Sequence, residues 1–319
     1  MNEYNSIHGY TIIGEWSKGP RKHVVRATKG NNLYYIEKHT HCSSPQYIGC
    51  LDEKTARLRE KEFELYVNPR LQLVMELNTL KSPIDSIIFP SDAFVFDGYY
   101  YEVVELLDCI IPNTEKEEVL RRITESEIRT IMLVLASSLA TAHSAGIVFC
   151  DIEDKIVFVR NKTGLIIPKL LASEGIYFGT NKDSYLDANI ICFDGNCSYY
   201  SPELAEYIYC DDAEKQFKLN KKISTKTDIF SLGLIYHFYL AGELPEADFL
   251  TEKHQKRKDK GKAIYPWDIL NSGCKLQISP NIKNPTYISL ISDMLSLNPA
   301  DRPTASDVSK RLFSNSVNA

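Results

Sequence analysis

The stretch Asp228-Ile229-Phe230-Ser231-Leu232-Gly233 lies near the start of a very apolar segment, 226–242, that predicts an α-helix. Two further apolar segments, 128–145 and 287–297, predict helices before and after it. The first of these follows Thr124-Glu125-Ser126-Glu127, which is typical of a helix N-terminus. The second part of the chain is therefore predicted to be helical.

The first part of the chain is rich in short runs of β-branched and aromatic residues. Strands are predicted at 10–15, 24–28, 33–38, 84–95 and 99–106. Phe96-Asp97-Gly98 predicts a hairpin between the last two strands. Residues 52–80 have helical spacing, but Asn68-Pro69 interrupts them and predicts two separate helical segments.

A strand-rich part followed by a larger helical part predicts an α+β fold with two lobes. The chain has 319 residues, which is enough for one or two packed lobes. We expect the boundary near 107–112, with an N-terminal lobe of 1–107 and a C-terminal lobe of 108–319.

Composition excludes several classes of protein. Hydrophobic residues make up 44% and charged residues 25%, as in folded rather than disordered chains. The net charge of −5 gives no attraction toward nucleic acid or an acidic membrane. No apolar run reaches the ~20 residues that span a bilayer, and the N-terminal residues lack a signal-peptide pattern.

The eight cysteines form no C-x-x-C pair, so a zinc site is not expected. We interpret them as free thiols in a reducing compartment. This predicts a cytoplasmic, intracellular location, which would be the host cytoplasm if the protein is a secreted effector.

Four motifs, taken together, carry a family resemblance. Residues 143–151, His143 to Asp151, resemble the end of a helix that runs into a catalytic loop of the form H-R-D. Ser201-Pro202-Glu203 resembles an A-P-E motif, and 298–304 resembles a late arginine motif. With the stretch at 228–233, they follow the order and spacing of eukaryotic-type protein kinases. The chain resembles a degenerate member of that family.

The resemblance implies a kinase-like fold with an N-lobe (1–107) and a C-lobe (108–319). It also implies an ion pair between Glu203 and Arg302. Asp228 is expected to accept hydrogen bonds from the backbone around Asp151. We interpret Asp228, Glu203 and Arg302 as structural residues.

The residues that handle phosphates in kinases are largely replaced. The glycine-rich loop would be Gly14-Glu15-Trp16-Ser17-Lys18-Gly19, with Trp16 in place of the middle glycine. Trp16 could fill the nucleotide pocket. For the loop itself, an ordinary hairpin turn is favoured at least as strongly as a phosphate cradle. Glu37 occupies the position of the phosphate lysine. Lys38 should point away, because strand side chains alternate between faces, unless a bulge shifts it.

The glutamate that pairs with this lysine aligns with Leu73, and Glu76, Glu64 and Glu62 are alternatives if Pro69 changes the register.

The magnesium ligands are also replaced. Counting five residues from Asp151 places Ile156 at the position of the metal-binding asparagine. The D-F-G aspartate falls on Ala172 or Ser173, and Glu174 is the one nearby acid. Phe193-Asp194-Gly195 lies too close to the A-P-E-like motif to be the D-F-G. We therefore expect no metal site, and Asp151 is interpreted as a vestigial base position.

A degenerate nucleotide pocket would use Gly14, Gly19, Lys38 and Glu105. No cofactor is expected, and any ATP binding should be weak or independent of metal. These replacements predict a pseudokinase that acts as a protein-binding scaffold or allosteric regulator. One alternative is an active Ser/Thr kinase or other nucleotide-dependent transferase with a rearranged metal site, which Glu174, Asp151 or Glu37 could hold. Another is a nucleotide sensor without turnover.

The predicted partner is a protein, with no nucleic acid and no membrane span. Three surfaces could bind it: the helical lobe, the polar segment 181–189, or the basic segment Thr251–Lys262. For the basic segment, a solvated surface loop is the default interpretation.

Overall fold

All described strands of the N-terminal region except β5 (Ile87–Ile88) assemble into one six-stranded antiparallel sheet in the computed structural model. The strands of this region are β1 (Ser6–Ile7), β2 (Tyr10–Lys18), β3 (Lys22–Lys29), β4 (Asn32–Ser43), β5 (Ile87–Ile88), β6 (Asp92–Phe96) and β7 (Tyr99–Glu105). The order in the sheet is β1-β2-β3-β4-β7-β6. The strands predicted at 10–15, 24–28, 33–38 and 99–106 are confirmed as parts of β2, β3, β4 and β7.

The structure describes residues 5–19, 22–44, 52–79, 86–106, 111, 113–150, 152–153, 156–161, 163–171, 177–178 and 196–314. The chain divides into two compact units, Met1–Asp108 and Cys109–Ala319. The first is built on the sheet and the second is mainly helical, which confirms the α+β fold class.

The strand predicted at 84–95 was wrong in its extent. It is divided into β5 and β6, and Pro90 lies between them. Proline has no backbone N–H to donate to a neighbouring strand, so it ends the pairing there. The hairpin predicted at Phe96-Asp97-Gly98 is confirmed: Asp97 has φ of 48° and Gly98 has φ of 70°, as a tight two-residue turn requires.

The prediction of two helical segments around Asn68-Pro69 was wrong. A single helix, α1 (Glu53–Thr79), runs through the proline over 27 residues. Its buried residues Phe63, Tyr66, Val67 and Val74 lie on both sides of Pro69, so packing outweighs the local cost of the proline. The guanidinium of Arg70 donates to the carbonyl oxygen of Tyr66 at 2.9 Å in the same turn.

The two faces of the sheet carry different kinds of side chain. One face carries an apolar cluster that includes Val25, Ile36, Tyr101 and Val103. The opposite face meets α1 through a hydrogen bond of 2.9 Å between His39 and Tyr66. Successive side chains on β4 therefore point alternately into the apolar cluster and toward α1.

The C-terminal unit contains nine helices among the residues that the structure describes. These are α2 (Asn113–Arg122), α3 (Glu125–Ser144), α4 (Pro202–Ile208), α5 (Ala213–Asn220), α6 (Thr225–Ala241), α7 (Glu252–Lys258), α8 (Pro266–Asn271), α9 (Pro285–Met294) and α10 (Ala305–Ser314). The strands are β8 (Ile147–Val148), β9 (Ile156–Arg160), β10 (Ile166–Leu171), β11 (Tyr177–Phe178), β12 (Glu246–Ala247) and β13 (Leu276–Gln277). They pair as β8–β11, β9–β10 and β12–β13, all antiparallel.

The predicted apolar helices are confirmed as α3, α6 and α9. Thr124 and Glu127 form the reciprocal hydrogen bonds of a capping box at the start of α3. Helix α6 is buried on nearly every side, as its even apolar composition requires. Within the described ranges, no helix combines the length and the apolarity that crossing a membrane would need.

The basic segment Thr251–Lys262 is not simply a loop, and that prediction was wrong. Glu252–Lys258 form α7, and the Thr251 side chain caps the helix by accepting from the backbone N–H of His254 at 3.3 Å. The carboxylate of Asp268 accepts from Arg257 and holds the helix against α8. The Thr251 cap and the Arg257–Asp268 contact hold this short helix in place, so its charged side chains have a fixed arrangement.

Replacing Pro69 with alanine is expected to stabilise the protein. Alanine supplies the backbone N–H that proline lacks and has the higher helix propensity, so the free energy of unfolding should rise by about 1–3 kcal/mol. Urea unfolding followed by circular dichroism measures this change. Asn68→Ala is the matched control at the exposed neighbouring position, and it should gain well under about 1 kcal/mol. A Pro69→Ala variant less stable than the wild type would contradict the interpretation.

Candidate functional site

Asp228, in the first turn of α6, fixes the backbone that leads to Asp151. Its Oδ2 accepts from the N–H of Phe149 at 2.9 Å and its Oδ1 from the N–H of Cys150 at 2.7 Å. The Nε2 of His143 lies 2.9 Å from Oδ2. The predicted hydrogen bonds from the backbone around Asp151 to Asp228 are therefore present.

The backbone at Cys150 is held in an unusual conformation. Its φ is 59°, in the left-handed region, although it is not a glycine. Cys150 is fully buried and its N–H is bonded to Asp228, which compensates for the local cost. The next residue, Asp151, lies outside the described residues.

Glu203 and Arg302 form the predicted ion pair. The two carboxylate oxygens of Glu203 accept from Nη1 and Nη2 of Arg302 at 2.7 and 2.9 Å. Arg302 is 1% exposed, and it also donates to the carbonyl oxygens of Ser296, Leu297 and Lys226. A buried charge pair with all its donors occupied is the favourable case for such an interaction.

Glu37 lies on the face of the sheet that meets α1. The pairing of β4 with β3 and β7 is regular through this position, so Glu37 shares its face with His39. The Nζ of Lys22 lies 2.8 Å from the Glu37 carboxylate and offsets its charge. An acid therefore occupies the position where the resemblance places a phosphate-binding lysine.

Lys38 lies on the opposite face, as the alternation of side chains predicts. No bulge interrupts β4 between Tyr34 and His39, and the Lys38 ammonium lies 3.6 Å from the centre of the Tyr99 ring. Burial lowers the pKa of Lys38. Its ammonium contacts an aromatic ring on the apolar side of the sheet.

β2 and β3 pair antiparallel on either side of residues 20–21, which lie outside the described residues. Gly14 has φ of +80°, and the pairing of the two strands shifts between Ile13 and Ser17. The N–H of Gly19 donates to the carbonyl oxygen of Lys22 at 2.9 Å, and a Cβ at Gly19 would come within 2.8 Å of that oxygen. Gly19 is therefore required by the turn itself.

Trp16 does not lie on the α1 face. Its ring packs edge-on against Tyr101 at 6.4 Å, beside the apolar cluster. That Trp16 fills a nucleotide pocket stays a prediction.

The four candidate nucleotide ligands are not all brought together. Lys38 pairs across the strands with Tyr101, whereas Glu105 pairs with Tyr34 and is exposed at the end of β7. Four residues of strand separate these positions, which is roughly 13 Å. Nucleotide binding by Gly14, Gly19, Lys38 and Glu105 stays a prediction.

The structure describes some of the remaining candidate residues and not others. Ile156 begins β9 and is 2% exposed, and it offers no oxygen to a metal. Glu62 and Glu64 are exposed on α1. Leu73 and Glu76 lie on the same helix, but their side chains are outside the described part of the structure. Residues 172–175 and 193–195 lie outside the described residues.

A polar cluster on the α1 face was not predicted from the sequence. Among the described residues, Glu37, His39 and Glu102 place one ligand atom each within 4.8 Å of one another. Glu102 accepts from the Tyr100 hydroxyl at 2.8 Å, and burial together with this carboxylate raises the pKa of Tyr100. The i, i+2 spacing of Glu37 and His39 in a strand was the signal that could have identified part of it.

Comparison with known proteins agrees with these features. A model of the protein kinase domain matches residues 60–314. The chain belongs to the protein kinase family. This kinase-family chain is 27% identical to a probable serine/threonine-protein kinase, fnkE, of Dictyostelium discoideum over 82% of its own length and 17% of that protein. A calcium and calcium/calmodulin-dependent serine/threonine-protein kinase of Lilium longiflorum is 26% identical over 65% of the chain and 33% of that protein.

The fold of this kinase-family chain is also similar to a solved structure. The crystal structure of Rad53 1-466 in complex with AMP-PNP has a TM-score of 0.56 and 17% sequence identity, and the match covers 95% of this chain and 64% of the crystallised Rad53 chain. The chain spans a third or less of the two curated relatives named above.

Arg302→Leu is expected to lower the free energy of unfolding by about 3–5 kcal/mol, because Glu203 would stay buried without its partner. Urea unfolding measures the loss. Arg311→Leu is the matched control, since its ion pair with Asp293 at 2.5 Å is about half exposed. That control should cost only about 0–1 kcal/mol. Equal losses in the two variants would contradict a structural role for the buried pair.

Proposed function

We propose that this chain is a pseudokinase, a catalytically inactive kinase homologue that acts by binding other proteins. Glu37 carries the proposal. In the family, this strand position supplies a lysine to the nucleotide phosphates. Here a carboxylate faces α1 in its place, and a carboxylate repels phosphate.

The metal-binding positions support the same conclusion. Ile156, five residues after Asp151, is buried and apolar. Magnesium needs oxygen ligands, and phosphoryl transfer depends on magnesium to stabilise the charge of the transition state. The sequence offers Ala172 or Ser173 for the second ligand. Losing both ligands removes most of the electrostatic stabilisation on which the reaction depends.

The contacts retained by the chain are those that hold the fold. Asp228 still binds the backbone before Asp151, and Glu203 still pairs with Arg302. A chain that keeps its scaffold without its catalytic charges presents a folded surface, which suits a binding role. We place it in a reducing, cytoplasmic compartment, because Cys150, Cys197, Cys210 and Cys274 are all free thiols.

A thermal-shift titration with ATP tests this proposal. With Mg²⁺ or Mn²⁺ present, ATP is expected to give no metal-dependent rise in melting temperature, because the metal ligands are replaced. Any binding without metal should be roughly 3–10-fold tighter in Glu37→Gln, which removes the repulsive charge. Glu214→Gln, at an exposed position on α5, is the matched control and should behave as the wild type. A saturable Mg²⁺-dependent shift in the wild type would contradict the proposal.

A transferase with a rearranged metal site is the second candidate, and the cluster of Glu37, His39 and Glu102 favours it. One imidazole and two carboxylates suit Zn²⁺ or Mn²⁺, and their ligand atoms lie within 4.8 Å of one another. In this alternative these residues would hold the ion, which would supply positive charge near the phosphates. Asp151 would keep its role as a base.

Labelled ATP separates the two candidates. Under the pseudokinase proposal, neither γ- nor α-labelled ATP transfers its label in Mg²⁺, Mn²⁺ or Zn²⁺. Incorporation that disappears in both Asp151→Ala and Glu102→Gln would support the transferase instead. Saturable Mg²⁺-dependent binding of ATP without any transfer would indicate a nucleotide sensor.

A further inference from the structure

The basic segment after α6 is a fixed part of the C-terminal unit. Beyond its bond to Asp268, Arg257 donates to the carbonyl oxygen of Ala263 at 2.8 Å. His254 is fully buried, and its Nε2 lies 3.1 Å from the Ser272 hydroxyl. These contacts hold α7 and the turn that follows it, so the exposed lysines around them keep a defined arrangement.

The lysines border a shallow basic depression of about 540 Å³. Lys253, Lys256, Lys260, Lys262 and Arg257 line it, against the single acid Glu252. Lys253 and Lys256 lie 3.9 and 3.5 Å from Asp268 and Glu252. No residue in the described part of the chain forms an ion pair with Lys260 or Lys262, so the positive charge is not neutralised internally.

An apolar groove of about 360 Å³ adjoins this depression. It is lined by Leu244, Pro245, Leu250, Ile264, Tyr265 and Ile269. Its charged lining is Lys258, Lys262 and one acid, Glu246, and Lys262 borders both the groove and the depression. Phe249, which precedes Leu250, is 56% exposed. Apolar surface and excess positive charge therefore form one continuous surface, which we call the lysine-rimmed groove.

We propose that the lysine-rimmed groove binds an acidic segment of a partner protein through an apolar anchor side chain. The proposal rests on the proposed function as a protein-binding module, and it names the chemistry of the partner. Carboxylates of the segment would lie against Lys258, Lys260 and Lys262, and a Phe or Leu side chain would enter the groove. Complementary charge speeds the encounter, and a buried apolar anchor slows dissociation.

Nucleic acid fits this surface less well. The phosphate backbone would use the lysines but leave the apolar lining exposed. The chain as a whole carries a net charge of −5, which opposes binding to a polyanion outside this surface. An acidic peptide with one apolar residue uses both halves of the lysine-rimmed groove.

Fluorescence anisotropy tests the proposal with a labelled peptide of glutamates around one central phenylalanine. The wild-type chain should bind it, and raising the salt concentration should weaken the binding. Lys258→Glu combined with Lys262→Glu should reduce the affinity by about tenfold or more. The matched control combines Lys283→Glu with Lys310→Glu, which changes the net charge equally at exposed positions outside the groove and should leave the affinity unchanged.

The apolar contact is tested on both partners. Replacing the phenylalanine of the peptide by serine, or Leu250 of the chain by serine, should each reduce the affinity by about 5–10-fold. Circular dichroism and thermal melting confirm that each variant is folded. Equal affinities for the phenylalanine and serine peptides, or equal loss in the control double variant, would overturn the proposal. So would a single-stranded RNA that binds more tightly than the peptide.

These measurements are made without nucleotide, so their outcome is independent of the test of the pseudokinase proposal. Transfer of phosphate label would overturn the pseudokinase proposal and leave the peptide result standing. Absence of peptide binding would overturn the lysine-rimmed groove as a docking site and leave the pseudokinase proposal standing.

Discussion

The buried carboxylate of Asp228 is the constraint on which the C-terminal unit depends. It accepts two backbone N–H groups from Phe149 and Cys150 and lies 2.9 Å from the imidazole of His143. These bonds join the first turn of α6 to the loop after α3, which lie far apart in the sequence. A fully buried carboxylate without such donors would be very costly, so the loop and the helix must fold together.

The same helix anchors a second buried charge. Thr227, next to Asp228, donates its hydroxyl to Glu203 at 3.0 Å, and the carbonyl oxygen of Lys226 accepts from Arg302. The first turn of α6 therefore holds both the loop before Asp151 and the Glu203–Arg302 pair. Neither contact involves a nucleotide, a metal or a catalytic base, so both stabilise the fold independently of such groups.

Much of this architecture could be predicted from the sequence where local chemistry and tertiary structure agree. The capping box at Thr124 and the alternation that separates Glu37 from Lys38 depend on near neighbours in the chain. The helix through Pro69 could not be predicted, because distant packing outweighs a local penalty there. Helix α7 in the basic segment is held by a contact between Arg257 and Asp268. The charge pattern of the segment itself does not reveal this contact, because Asp268 lies outside it.

The junction between the sheet and α1 has a charge arrangement opposite to the one the resemblance implies. In the family, a lysine on the strand pairs with a glutamate on the helix. Here the strands carry Glu37 and Glu102, which are direct cross-strand neighbours, and the helix carries Arg70. Directly opposed acids destabilise a sheet.

The neighbouring groups offset that cost. Lys22 pairs with Glu37, the Tyr100 hydroxyl donates to Glu102, and the positive charge of Arg70 acts on Tyr100 against the carboxylate. Glu37 is therefore part of a network of polar side chains between the sheet and α1. A lysine at position 37 would lie between Lys22 and the helix that carries Arg70, so the carboxylate of Glu37 suits the charge of its neighbours better than an ammonium would.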